Sequence, residues 1–154
     1  SQLLRGDGHG RFTAVPPGES NLIVPGDAKA LAMLDFNADG WPDFLVTRNN
    51  ATTLAFRNNG VAGRHSLGVR LRGPSGNPTA VGARITVEFA DGSKRASEVY
   101  AGSGYYSQST AACFVGWLEN NPPRKVQVRW PSGIETAHAV SSPSPVLIVS
   151  APGL

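Results

Sequence analysis

The sequence predicts an all-β protein, on three observations. Apolar residues recur at every second position, and no stretch of 11 or more residues carries a 3.6-residue helical period. Eighteen Gly and 12 Pro interrupt 154 residues, so a turn follows almost every short run. Charged residues make up 16% and hydrophobic ones 40%, enough for a packed core and too apolar for wholesale disorder.

Residues 1–62 and 63–150 read as two units. In the first, Arg11-Phe12-Thr13-Ala14-Val15 is a strand entered through the turn Asp7-Gly8-His9-Gly10. Residues 30–34, 44–47 and 53–57 are three more. Four short strands in about 50 residues match the size of one propeller blade. A single blade cannot cover both its faces, so this segment is expected to pack on the second unit or to belong to a longer array.

The second unit reads as an antiparallel β-sandwich. Leu67, Val69 and Leu71 alternate with Gly68, Arg70 and Arg72. Val81, Ala83, Ile85, Val87 and Phe89 share one face, and Val126, Val128 and Trp130 share another. Half-buried strands give this pattern because successive side chains point to opposite faces. Asp91-Gly92 predicts a hairpin that sets Glu88 opposite Arg95. The same register sets Ile85 opposite Glu98, a poor pair that calls for a bulge or a longer loop. Pro74-Ser75-Gly76-Asn77-Pro78 and Trp130-Pro131-Ser132-Gly133 are turns, Asn120-Asn121-Pro122-Pro123 interrupts regular structure, and residues 146–149 close the sandwich.

The sharpest chemical feature is Asp35-Phe36-Asn37-Ala38-Asp39-Gly40-Trp41-Pro42-Asp43. Side-chain oxygens fall at positions 1, 3, 5 and 9, with Gly at position 6 for a sharp turn. Calcium takes six to eight hard oxygen ligands, main-chain carbonyls among them. Asp35, Asn37, Asp39, Asp43 and the Trp41 carbonyl are therefore the expected Ca²⁺ ligands. Position 12 is Val46 where an EF-hand needs Glu, and the flanking runs are strand-like, so the loop is expected to join two strands. The plain alternative is a metal-free Asp/Asn/Gly turn; three carboxylates crowded without a cation argue against it.

Other constellations point away from chemistry. His9, His65 and His138 are isolated, so zinc is not expected. Gly102-Ser103-Gly104 lacks the strand–turn–helix setting of a nucleophile elbow and reads as a tight turn. Cys113 beside Phe114 and Val115 reads as a buried, inert thiol, and as the single cysteine it forms no internal disulfide. The chain is therefore read as not an enzyme. Residues 1–62 carry five basic and six acidic side chains, residues 63–154 nine and five. The arginines of the second unit alternate singly with apolar neighbours, as solvent-facing positions do, so no nucleic-acid partner is expected. No apolar run approaches the ~20 residues that span a bilayer. Arg5-Gly6-Asp7 flanks an ordinary turn, and Asn50-Ala51-Thr52 is a formal glycosylation sequon. Tyr105, Tyr106 and Trp117 are candidates for an aromatic sugar-stacking platform, with burial in the core as the favoured reading.

Two segments resemble known families. The 35–43 loop with Phe44-Leu45-Val46 and the downstream Phe56-Arg57-Asn58-Asn59-Gly60 resembles an FG-GAP/VCBS repeat, the calcium-loop blade of integrin α propellers. Residues 5–15 resemble the tail of a preceding repeat. From about His65 the chain resembles the ASPIC/UnbV domain of cartilage acidic protein-like proteins. That likeness rests on Val81-Gly82-Ala83-Arg84, Ala101-Gly102-Ser103-Gly104-Tyr105 with Ser107-Gln108-Ser109, and Val128-Arg129-Trp130-Pro131-Ser132-Gly133. Cys113-Phe114-Val115-Gly116-Trp117 departs from a Phe-Gly-Leu-Gly-like core usual in that family.

The resemblance implies a secreted, cell-surface or periplasmic β protein, part of a longer repeat-containing chain. The function expected is a non-catalytic, calcium-stabilised binding or scaffold module with a protein or glycan partner. A carbohydrate-binding module and an accessory domain of a larger secreted enzyme are the alternatives.

Overall fold

The computed structural model of the chain describes residues 2–141 and 144–154. Twelve strands and one short helix follow in order: β1 (Leu3–Gly6), β2 (Phe12–Val15), α1 (Pro17–Ser20), β3 (Ala28–Leu34), β4 (Asp43–Arg48), β5 (Ala51–Phe56), β6 (Arg64–Arg72), β7 (Arg84–Phe89), β8 (Lys94–Glu98), β9 (Cys113–Leu118), β10 (Pro123–Arg129), β11 (Glu135–Ala139) and β12 (Val146–Ser150). The fold is all-β, as the period-2 patterning predicts.

The second unit is a two-sheet sandwich, with order β11-β10-β7-β8 in one sheet and β12-β6-β9 in the other. Leu67, Val69, Leu71, Ile85, Val87, Phe89, Val115, Val126, Val128, Trp130 and Val149 meet in one buried cluster between them. Each contributes roughly 1.5–3 kcal/mol by leaving water, which makes this cluster the dominant stabilising element. Arg95 ties the sheets at one corner: its Nη1 donates to the Gly116 carbonyl at 2.6 Å while its guanidinium lies 5.2 Å from the Phe89 ring centre.

Three expectations for this unit change. Glu88 pairs with Lys94 and Val87 with Arg95, one residue away from the expected register. The loop is three residues long, closed by Phe89 N–H to Ser93 O at 2.9 Å, with Gly92 at φ +82°. A left-handed glycine at that position is the three-residue hairpin with its bulge, and the longer loop sets Ile85 opposite Ser97 and frees it from Glu98. Second, β12 pairs with β6 in parallel. The chain arrives at β12 from β11 in the opposite sheet, and β9 already holds the other edge of β6, so the closing strand takes the remaining edge in the direction of its approach. Third, the alternation from Val81 is not all strand: Ala80 and Gly82 have positive φ, and β7 begins at Arg84. Pro123 opens β10, where a strand tolerates a missing N–H.

Residues 2–62 are built differently. β3, β4 and β5 form a three-stranded antiparallel sheet, while β1 and β2 pair in a separate ribbon. The four strands read as one blade-sized sheet therefore divide between two. Pro16 and Pro17 end β2 and open the four-residue helix, and Asn21 closes it in the left-handed region. Asp7 draws β1 and β2 together locally, its Oδ1 accepting from His9 N at 2.7 Å and Arg11 N at 3.1 Å.

Strand β3 is docked on the sandwich by hydrogen bonds. Met33 N donates to Ser109 Oγ at 3.0 Å, and Met33 O accepts from Thr110 N at 2.8 Å. Ser109 sits in the 99–112 loop, which Ser103 Oγ closes by accepting from Ser109 N at 2.8 Å. Gly104 and Ser107 form a small β-bridge there. The turn falls on Tyr105-Tyr106 within that bridge, and Gly102-Ser103-Gly104 leads into it, Gly102 in the left-handed region and Ser103 holding the loop that carries Ser109.

Candidate metal centre

The acidic loop joins β3 to β4 across residues 35–43, between two strands as its flanks predict. Ala38 at φ 58° and Gly40 at φ +81° give it two left-handed corners. Gly40 faces Pro145 of the segment entering β12, whose carbonyl occupies the place a Cβ would take. A side chain is thus excluded there by both conformation and space. The same Pro145 carbonyl accepts from Gly68 N at 2.9 Å, so the loop is seated against the β6–β12 edge.

Each aspartate is engaged by main-chain N–H groups. Asp35 Oδ1 accepts from Asp39 N and Oδ2 from Gly40 N, both at 3.1 Å. Asp39 Oδ1 accepts from Trp41 N at 2.8 Å, and its Oδ2 accepts from Asn37 Nδ2 at 2.7 Å. Asp43, at the start of β4, is fully buried; its Oδ2 accepts from Phe36 N at 3.2 Å and its Oδ1 from Asn58 N at 2.8 Å. Asn58 Oδ1 in turn accepts from Gly60 N at 3.0 Å, and Gly60 lies against the Trp41 indole.

Charge balance here is uneven. Asp35 and Asp43 are both buried. Among the described residues, the one cation within 4.0 Å of the loop carboxylates is Arg70, whose Nη2 reaches Asp35 Oδ2 at 4.0 Å from a half-exposed side chain. Burying a carboxylate beyond reach of a counter-charge is expensive even when amides bond it. The donor set of Asp35, Asn37, Asp39, Asp43 and the Trp41 carbonyl is all hard oxygen, which suits Ca²⁺, and each carboxylate oxygen keeps an acceptor site after one N–H bond. The carboxylates are not drawn to a single point, however: among the described residues no group of three or more His, Cys, Asp or Glu side chains is gathered closely enough to hold a metal. Were calcium bound, those five residues would hold it, and it would supply positive charge and rigidity to the turn.

Arg70 reads in the sequence as one more outward arginine of an alternating strand, and the pairing with Asp35 crosses 35 positions of chain. Asn58 carries a signal only through the Asn-Asn-Gly turn that follows β5. Neither role is visible before the sheets are assembled.

The aromatic candidates do not form a platform. Tyr105 and Tyr106 are 73% and 85% exposed, so their expected burial is overturned. They sit in the glycine-rich loop outside both sheets, and Tyr106 itself takes φ 50°. Their rings meet edge to face at 4.5 Å, which presents no flat double surface. Trp117 is buried at 9% and stacks on His65, its cross-strand partner, at 4.3 Å. Among the described residues, its Nε1 and Ser66 Oγ, both buried, have no hydrogen-bond partner. Trp130 is buried and donates from Nε1 to Thr136 Oγ1 at 3.0 Å. Burial pushes the Cys113 thiol up, with a hydrogen bond from Ser97 in partial opposition, so little nucleophilic thiolate forms.

Among the described residues no helix is long and apolar enough to cross a membrane. No curated protein matches the chain. Residues 73–150, just over half of the sequence, match the family model described as ASPIC and UnbV. That stretch begins just after β6 and runs to the end of β12, with the sandwich strands β7 to β12 and the glycine-rich loop inside it; the chain belongs to the ASPIC and UnbV family.

Proposed function

We propose that the protein is a non-catalytic, calcium-stabilised binding and scaffold module acting outside the cytoplasm. In this reading β3, β4 and β5 are an FG-GAP/VCBS-type repeat of a longer array, and its loop is stapled by Ca²⁺ against the ASPIC/UnbV sandwich. The observation that carries it is the burial of Asp35 and Asp43 where the repeat meets the sandwich, with one guanidinium among the described residues, that of Arg70, 4.0 Å from Asp35. A divalent ion would offset that charge and would tie β3 to β4 beside the docking contact at Met33. The non-catalytic part rests on the chemistry of the groups. The loop carboxylates are bonded to main-chain amides, and the Cys113 thiol is buried and held protonated.

Calcium titration followed by thermal melting tests the metal. The melting temperature is expected to rise with millimolar Ca²⁺, because loops of this kind bind at about 10⁻⁴–10⁻³ M. Asp39→Ala should abolish the rise while changing the chelated protein little. Identical melting curves in calcium and in chelator would refute the proposal.

The exposure of Tyr105 and Tyr106 on one loop favours a second reading, a carbohydrate-binding module in which a single ring, and not a two-ring platform, stacks on a sugar. Glycan-array binding that disappears in Tyr105→Ala/Tyr106→Ala would establish it, and unchanged binding would dismiss it.

A further inference from the structure

The outer face of the four-stranded sheet carries an ordered grid of side chains. Register places Glu135, Arg129, Arg84 and Glu98 in one row across β11, β10, β7 and β8. The next row is Ala137, Gln127, Thr86 and Ala96, and beyond it Lys125, Glu88 and Lys94 form an ion cluster, with both lysines 3.5 Å from Glu88. Over the first two rows lies a cup of about 380 Å³ lined by Arg84, Thr86, Gln127, Val128, Arg129 and Glu135.

Arg84 and Arg129 stand directly opposite each other across the ladder. Like charges at that position destabilise a sheet. Arg84 is only loosely answered by Glu98 at 3.8 Å, and among the described residues no carboxylate lies within 4.0 Å of Arg129. Both arginines line the cup together with an amide and a hydroxyl, a donor set for one oxyanion flanked by hydroxyls. Glu135 lines the cup beside the arginines, so the cup admits one carboxylate with uncharged ring hydroxyls around it.

We propose that this cup binds a carboxylated sugar, a uronate residue of an acidic saccharide. The carboxylate lies between Arg84 and Arg129, and ring hydroxyls bond to Gln127 and Thr86. The site shares no residue with the acidic loop or with Tyr105 and Tyr106, so it stands or falls separately from the calcium reading.

The test is a calorimetric titration of the full chain with trigalacturonate at low ionic strength, with and without chelator. Maltotriose, tricarballylate and a single-stranded oligodeoxynucleotide serve as comparison probes. Saturable binding of trigalacturonate is expected, unaffected by chelator, with none of maltotriose and weaker binding of the other two. Arg129→Gln should weaken it about tenfold, the worth of one charge-assisted pair. Lys125→Gln removes the same charge two rows away and should change affinity less than about twofold. Arg129→Gln relieves the like-charge pair and is expected to melt no lower than the parent chain. Equal losses in the two variants, tighter binding of the oligonucleotide, a lowered melting temperature for Arg129→Gln, or no saturation by trigalacturonate would each overturn the proposal.

Discussion

The sandwich gathers its apolar side chains, from Leu67 to Val149, in one buried cluster. Residues 2–62 bury Val15, Val24 and Val46 and, beside them, the aspartates Asp35 and Asp43. The same segment leaves Leu3, Leu4, Phe12, Ile23, Leu31, Phe36 and Val61 exposed. One region is held by apolar area removed from water, the other by turn chemistry and by its seat on the first. Apolar burial is non-directional and tolerates small displacements of its partners. A carboxylate that satisfies two amides does not, because its geometry is specific.

The comparison breaks most sharply at the core. Ile85→Ala should cost about 3 kcal/mol in urea unfolding, since it empties a site that is 1% exposed. Leu31→Ala, on an exposed position of β3, should cost under about 0.5 kcal/mol. Equal effects would mean the two regions share one core after all. Asp43→Ala comes next: it strands the Phe36 and Asn58 amides in a buried site, for about 2–3 kcal/mol. That loss should appear as proteolytic cleavage within residues 35–60 while the sandwich remains intact.

Gly40→Ala sharpens the role of docking. The left-handed corner and the Pro145 carbonyl both resist a Cβ, so about 1–2 kcal/mol is expected, with chemical-shift changes at Gly68 as well as in the loop. Changes confined to residues 35–43 would show that the loop does not feel the sandwich. Ser109→Ala is the smallest, about 1 kcal/mol, read as faster amide exchange at Met33. Unaltered exchange there would assign the docking of β3 to other contacts.

The acidic loop was legible because its information is local: alternate oxygens, a glycine at the corner and strand-like flanks all lie within nine residues. Most strands of the sandwich were legible for the same reason, through alternation. Three strands escaped. β1, Leu3-Leu4-Arg5-Gly6, has no alternation and is exposed throughout; β9 turns Cys113, Val115 and Trp117 inward, but the apolar Phe114 and Leu118 between and after them mask the period; and β11 turns Thr136 and His138 inward, which a hydrophobicity pattern does not register. The tyrosines were misplaced because size and aromaticity favour burial on average, whereas Tyr105 and Tyr106 occupy a loop whose serines and glycines are spent on docking β3.

Local order in the chain therefore determined the fold class, the strands with clear alternation, the turns and the nine-residue acidic loop, since each depends on neighbours a few positions apart. Partnership was decided only in three dimensions. Which strand β12 joins, which arginine answers Asp35, which tyrosines meet water and which two arginines face each other across β7 and β10 are set by contacts between residues far apart in sequence. Such contacts depend on how two sheets close over one apolar interior, and no short window of sequence contains that geometry.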